Sequence, residues 1–136
     1  MERTLVIIKP DAVKDKHIGE IISRFEKAGF EIVSLKMLQM TKDEAENFYY
    51  VHRGKDFFDE LIKFMISGPC VPMVLEGDDI IKRVRDFIGA TEPKEAEPGT
   101  IRADFGTKTP ENAIHASDSI ESAKFEVNFF FPNMAF

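Results

Sequence analysis

Four side chains in this sequence have the chemistry to hold phosphate oxygens: Lys9, Arg85, Thr91 and Arg102. Lys9 ends the apolar run Leu5-Val6-Ile7-Ile8, and Arg85 lies on the edge of an apolar helical stripe. Thr91 follows one turn beyond, and Arg102 sits in a stretch without periodicity, where it is expected to stand exposed. Arginine suits phosphates because its planar fork makes two charge-assisted hydrogen bonds at once. Taken singly, each of these residues reads better as a solvated surface group. What they lack is a nucleophile.

The three histidines differ in setting. His17 lies in a charged turn and reads as solvated, while His52, in a polar loop, is open to either reading. His115 stands in Asn112-Ala113-Ile114-His115-Ala116-Ser117-Asp118-Ser119, directly before a predicted helix. The Ser-Asp-Ser cap would offer backbone N–H groups and a helix dipole to an anion. A neutral imidazole is a competent nucleophile near pH 7, and a neighbouring carboxylate fixes its tautomer. Glu126, at the start of the last predicted strand, is the candidate partner. A histidine in an apolar setting is more often a hydrogen-bonded core residue, and both readings stand at this point.

The elements that must position these groups follow from periodicity. Residues 4–9 read as a buried strand ended by Pro10. Ile18, Ile21, Ile22 and Phe25 recur at helical spacing until Gly29. A second strand is predicted from Phe30 to Met40, then a helix opened by the Thr41/Glu44 capping box. Asp56 is the predicted cap of a helix carrying Phe58, Leu61, Ile62 and Met65, and Cys70–Glu76 forms a third strand. Asp78 is the predicted cap of a helix with Ile80, Ile81, Val84, Phe87 and Ile88 inward. Gly89 to Asn112 is irregular, and a stretch of that length in a compact domain is usually functional or disordered. A short helix near Ser119–Phe125 and a last strand, with Val127, Phe129 and Phe131 alternating, complete the chain. This order predicts an α+β fold: a ferredoxin-like antiparallel four-stranded sheet with helices on one face and a long irregular loop.

Composition narrows the function. A chain of 136 residues predicts one domain, 1–136, with a real core. A net charge of −6 argues against nucleic acid as the main ligand, though not against a single nucleotide held in a local basic cleft. No apolar run approaches the roughly 18 residues of a membrane span. Met1-Glu2-Arg3-Thr4 lacks the layout of a signal peptide, and the single Cys70 excludes an internal disulfide. A cytoplasmic protein is expected. The chain has no GxxxxGK[ST] loop, no GxGxxG after a strand, no HRD or DFG and no RNP pattern, so phosphate would have to be held by discrete side chains.

At residue level the match is to a known family. The run NAIHASDS, Asn112–Ser119, resembles the active-site signature N-x-x-H-[GA]-S-D-S of nucleoside diphosphate kinases. Lys9-Pro10-Asp11-Ala12 resembles the family's first-strand KPD[GA]. Ser67-Gly68-Pro69, Gly89-Ala90-Thr91 and Gly99-Thr100-Ile101-Arg102-Ala103-Asp104-Phe105 resemble further blocks in the expected order. The resemblance implies an enzyme moving the terminal phosphate of a nucleoside triphosphate, typically ATP, to a nucleoside diphosphate, with little base selectivity. His115 would carry the phosphate in a ping-pong cycle, oriented by Ser117 and Glu126, with the ring nitrogen each serves left open. Arg85, Arg102 and Thr91 would hold phosphates with Tyr49 and His52 close by. Lys9 and Asn112 would contact sugar and phosphates, and Phe57 the base. Mg2+ would bridge the phosphates, reaching the protein through water near Asp118.

The same resemblance implies a homo-oligomer built from dimers, tetramer or hexamer. The sequence departs from the family pattern at Val51, where an acidic residue is usual, and at Lys55-Asp56 in place of Arg-Pro. Thr109 and Pro110 replace a Val-like residue and a Gly. None of these removes a catalytic group. The chain ends at Phe136, without the tail that shapes subunit contacts in some relatives, which leaves tetramer and hexamer both open.

Overall fold

Strand β1, Glu2–Ile8, is central in the sheet, and its run of apolar residues is explained by burial on both faces. A computed structural model of the chain describes residues 1–134; Ala135 and Phe136, which close the predicted domain, lie outside them. Three further strands complete the sheet: β2, Glu31–Leu35; β3, Val71–Gly77; and β4, Ile114–Ala116. The order is β2-β3-β1-β4 with every pair antiparallel, the predicted ferredoxin-like arrangement.

Helices cover both faces of this sheet, not one. Side chains alternate across a strand, so Val6 and Ile8 enter one core and Leu5 and Ile7 the other. The first core is closed by helices α2, Ile18–Lys27, and α5, Ile80–Ile88, through Ile21, Phe25, Val84 and Ile88. The second is closed by α3, Lys42–Phe48, α4, Phe58–Met65, and α7, Ile120–Phe130, through Phe48, Ile62, Met65, Val127 and Phe130. A sheet buried on both sides has no polar face to betray it, which is why alternation was weak in β1 and β3.

The largest departure from expectation is at the C-terminal end. The predicted last strand around Val127 is part of helix α7, and Glu126 stands nearly two turns along it. Ala123, Val127 and Phe130 are buried at i, i+4 and i+7, a helical stripe disguised by the strand-favouring phenylalanines between them. The true fourth strand is Ile114–Ala116, too short to display alternation, and it carries His115. Strand β2 stops at Leu35, with a bulge between Ile32 and Ser34; beyond it Leu38 forms only an isolated bridge with Cys70.

The helix ends differ in how they are closed. The Thr41/Glu44 capping box is formed, and Ser119 caps α7 in a box with Ser122. Asp56 and Asp78 cap nothing: Phe57 and Asp79 occupy the N-cap positions of α4 and α5, without side-chain bonds. A short helix α1, Pro10–Lys14, follows β1 directly. The irregular stretch holds a 3₁₀ turn, Pro93–Glu95, and helix α6, Ile101–Phe105, capped by Thr100. Among the described residues no helix is long and apolar enough to cross a membrane.

Candidate active site

His115 is placed by the sheet. It sits opposite Ile7 in the β1–β4 ladder, between buried Ile114 and Ala116, and Phe48 and Tyr49 meet its ring edge-on at 5.4 and 5.9 Å. Its Nε2 lies 2.8 Å from Oε1 of Glu126. The fully buried Ser117 hydroxyl donates to the same Oε1, also at 2.8 Å, and accepts from the Leu5 N–H at 3.2 Å. The carboxylate is thus locked from two sides. In the neutral imidazole the nitrogen facing a carboxylate carries the proton, so Nδ1 keeps its lone pair and has no hydrogen-bond partner among the described residues. The question left open by the sequence is answered: Glu126 serves Nε2, and Ser117 serves Glu126 rather than the ring.

Of the backbone N–H groups around the start of α7, those of Asp118, Ser119 and Ser122 are taken. The N–H groups of Asp118 and Ser119 both donate to Ser122 Oγ, and the Ser122 N–H donates to Ser119 Oγ. His115 also stands on a strand rather than at the helix end. The attraction for an anion comes instead from side chains.

A cavity of about 360 Å³ opens beside His115, and Lys9, Arg85 and Arg102 all line it. Arg102, on α6, donates from Nη2 to the Ile114 carbonyl at 2.8 Å and from Nη1 to that of Gly89 at 3.2 Å. Arg85, on α5, donates to the Ala116 carbonyl at 3.2 Å. The two guanidinium groups are therefore pinned to the residues on either side of His115. Gly89, whose carbonyl accepts the other Arg102 bond, has to be glycine: with φ 96°, a Cβ there would meet Thr100 Oγ1 at 2.5 Å. Arg102 is only 5% exposed, against the expectation of an exposed cleft residue, and its buried Nε has no partner. Burial, with the Arg85 cation adding to it, pulls its pKa down to about 10.

Lys9 follows β1 and is also buried. Its Nζ donates to Asn112 Oδ1 at 2.7 Å and to the Pro110 carbonyl at 3.3 Å. Burial first and Arg102 second bring its pKa down to about 7, while Asp11 works in the opposite direction. Asn112, 1% exposed, donates from Nδ2 to the Thr91 carbonyl at 2.8 Å. It is a brace between Lys9 and the Thr91 loop, with little surface left for the predicted contact to sugar. Tyr49 has its hydroxyl buried without a partner; burial and then Glu126 push its pKa up, so it remains a donor. His52 also lines the cavity with a buried, unpartnered Nδ1, and burial followed by Lys55 lowers its pKa.

Phe57 is 47% exposed and is not a core residue. It forms part of the cavity wall with Leu61, Thr109 and Pro110, and Glu60 lines the same wall. Glu60 escaped the sequence reading, and Leu61 was read only as a position of its helix's apolar stripe, although their spacing of three and four from Phe57 puts them on one helix face. Thr91 and Asp118 complete the set; Glu126 and Ser117 support His115 from behind and do not line the cavity. A second cavity, about 390 Å³, also touches His115, but Asp118, Glu121 and Glu126 line it without any Lys or Arg. The lysine and arginine side chains beside His115 thus all lie on the first cavity, and Val51 lines the second.

Asp118 is exposed at the cavity edge, and its Oδ1 accepts from Ser122 Oγ at 2.9 Å. Among the described residues there is no cluster of three His, Cys, Asp or Glu that could cage a cation. One carboxylate beside an open cleft fits a hard divalent ion held mainly by phosphate oxygens and water.

Known proteins resemble this chain closely. The family model described as nucleoside diphosphate kinase matches residues 2–136. A nucleoside diphosphate kinase of Saccharolobus islandicus is 59% identical over 131 residues, 96% of this chain and 95% of that protein. Nucleoside diphosphate kinase 2 of Protochlamydia amoebophila is 57% identical, covering 96% of this chain and 92% of its own. The crystal structure of Aquifex aeolicus nucleoside diphosphate kinase superposes with a TM-score of 0.94 at 55% identity, over 96% of this chain and 94% of that one.

Proposed function

Because this chain belongs to the nucleoside diphosphate kinase family, we propose that residues 1–136 form one kinase domain in which His115 carries the phosphate between nucleotides. The enzyme moves the terminal phosphate of a nucleoside triphosphate to a nucleoside diphosphate. In the first half-reaction the Nδ1 lone pair attacks the γ-phosphorus, an N–P bond forms, and the bond to the β–γ bridging oxygen breaks. The diphosphate departs with that oxygen. In the second, a terminal phosphate oxygen of another diphosphate attacks phosphorus, the N–P bond breaks, and the imidazole is neutral again. One observation carries this reading: Nε2 is engaged by Glu126 at 2.8 Å, leaving Nδ1 as nucleophile beside a cavity lined by Arg85, Arg102 and Lys9.

The remaining roles follow from chemistry. Arg85, Arg102 and Lys9 offset charge on the transferring group, for which positioning and electrostatics supply nearly all of the catalysis. Tyr49 and Thr91 add hydroxyl donors, His52 borders them, and Asn112 holds Lys9 and the Thr91 loop in register. Members of this family use a divalent metal, and here we take it to be magnesium, with Asp118 reached through water. Bound, it would neutralise phosphate charge. The test is transfer of labelled γ-phosphate from ATP to CDP, GDP, UDP and dTDP: all four should become triphosphates at comparable rates. Absence of transfer to every acceptor would refute the reading.

Base tolerance follows from the outer wall. A phenylalanine ring reads no hydrogen-bond pattern, and Glu60 is exposed, so the wrong base leaves no buried polar group unpaired. Phe57→Ala should weaken all diphosphates alike, by roughly 1 kcal/mol. With the ring half outside the core, the unfolding midpoint should barely move. A large loss of stability, or loss confined to one base, would contradict this placement.

The proposed assembly is a homo-oligomer built from dimers. The sheet leaves β2 as an edge strand with Leu35 50% exposed and, just beyond it, Met37 56% exposed, an apolar edge of the kind proteins cover. A cytoplasmic location agrees with Cys70 being a buried free thiol.

A further inference from the structure

Helix α6 carries Arg102 to the cavity, yet it has five residues, far below the roughly 12 that a helix needs to hold itself in water. Its place depends on what grips it. Toward the core, Ile101 is buried and Arg102 itself bonds two carbonyls. Asp104 follows Arg102 by two residues, so its side chain leaves the helix on nearly the opposite face. That outer face needs a grip of its own.

One guanidinium supplies it. Arg24, on α2, donates from Nη1 to Asp104 Oδ2 at 2.7 Å and, at 3.4 Å, to the Gly99 carbonyl just ahead of α6. Its central carbon stands 4.6 Å from the centre of the Phe105 ring, a cation–π distance. Glu20, one turn back on α2, accepts from Nε at 3.2 Å and fixes the plane of the fork. His17, at the cap of the same helix, packs on Phe105 as well, with ring centres 4.5 Å apart. Arg24 therefore touches both ends of the segment 99–105, with Arg102 between them.

The Arg24 and Asp104 side chains are 27% and 35% exposed, so their ion pair adds little to stability. Placement is another matter. A donor stabilises a transferring phosphoryl group only where it is preorganised, and a misplacement of about 1 Å can cost about 100-fold in rate. We infer that Arg24 is a positioning residue of the transfer reaction, strapping α6 down and so holding the Arg102 fork in register with His115. The inference rests on the kinase reading for its catalytic consequence and on contacts within this chain for the strap itself.

A double-mutant cycle with Arg102 separates positioning from mere bracing. Arg24→Ala should lower kcat/KM roughly three- to tenfold in the wild-type background, mostly through kcat. In the Arg102→Ala background the same change should cost less than about twofold, because the group it positions is gone. A brace that only stabilised the fold would act equally in both. Asp104→Ala breaks the strap from its other end and should repeat the pattern. Without nucleotide, hydrogen exchange of the Arg102 Nε–H, followed by NMR and assigned by its loss in Arg102→Lys, reads the strap with no activity involved. That group is buried in wild type, and its exchange should quicken at least about fivefold in Arg24→Ala and in Asp104→Ala as α6 loosens. If wild type transfers no phosphate, the kinase reading fails, and the exchange measurement still judges the strap. Equal kinetic effects of Arg24→Ala in the two backgrounds, or an exchange rate unchanged in both strap variants, overturns the inference.

Discussion

Incubated with γ-labelled ATP and magnesium but no acceptor, the protein should retain label on His115, and His115→Ala should retain none. Removing a nucleophile that acts as part of a unit costs on the order of 10⁴-fold or more in turnover. The geometry predicts which nitrogen takes the label. Nε2 is committed to Glu126, whose oxygen is itself fixed by Ser117. The phosphoryl group should therefore be found on Nδ1, as an acid-labile, base-stable N–P linkage. Digestion and separation of the two phosphohistidine isomers decides this. Label on Nε2 would mean that the Glu126 bond is broken during transfer; label on a serine would exclude the mechanism. Loss of His115 should cost less stability than activity, since among the described residues its ring makes one hydrogen bond, the one to Glu126.

Much of this site was legible because its residues are unusual for the elements that carry them. A lysine ending an apolar strand and a histidine in NAIHASDS needed no structure to be singled out. What escaped was where backbone and side-chain partners lie. Glu126 was singled out as the candidate partner of His115 from its place at the start of the predicted last strand, yet that element was misread, because Phe129, Phe130 and Phe131 favour strands more than the helix they finish. Tertiary packing of Ala123, Val127 and Phe130 overrode that preference. Asp56 and Asp78 look like caps in sequence, but capping needs extended backbone at the N-cap position. Asp79, with φ 54°, holds that position in α5 instead, and no sequence signal marks the one-residue shift. Burial of Arg102 could not be read either, since both carbonyls that accept from it lie in segments without periodicity or at a strand too short to notice.

That burial changes what Arg102→Ala should do. An exposed cleft arginine could be removed with the fold intact, but Arg102 is 5% exposed and bonds two backbone carbonyls. Turnover should drop by about 2–4 kcal/mol of transition-state stabilisation, as for other fixed electrostatic donors. Truncation also leaves the Gly89 and Ile114 carbonyls without these donors, and a buried unsatisfied group costs roughly 1–3 kcal/mol. Against this, the mutation removes a desolvated cation standing near Arg85, the two causes that lower its pKa to about 10. The net loss of stability should therefore fall at the low end of that range, visible as a drop in Tm. Arg102→Lys resolves the two effects, because it keeps a charge but cannot reach two carbonyls and the cavity at once. Its Tm should fall nearly as far as that of the alanine variant, while kcat/KM recovers only in part. Nucleotide should also raise the Tm of wild type more than that of either variant, by mass action on the folded state. A folded Arg102→Ala enzyme with kcat/KM within twofold of wild type would remove Arg102 from the phosphate site, whatever its effect on Tm.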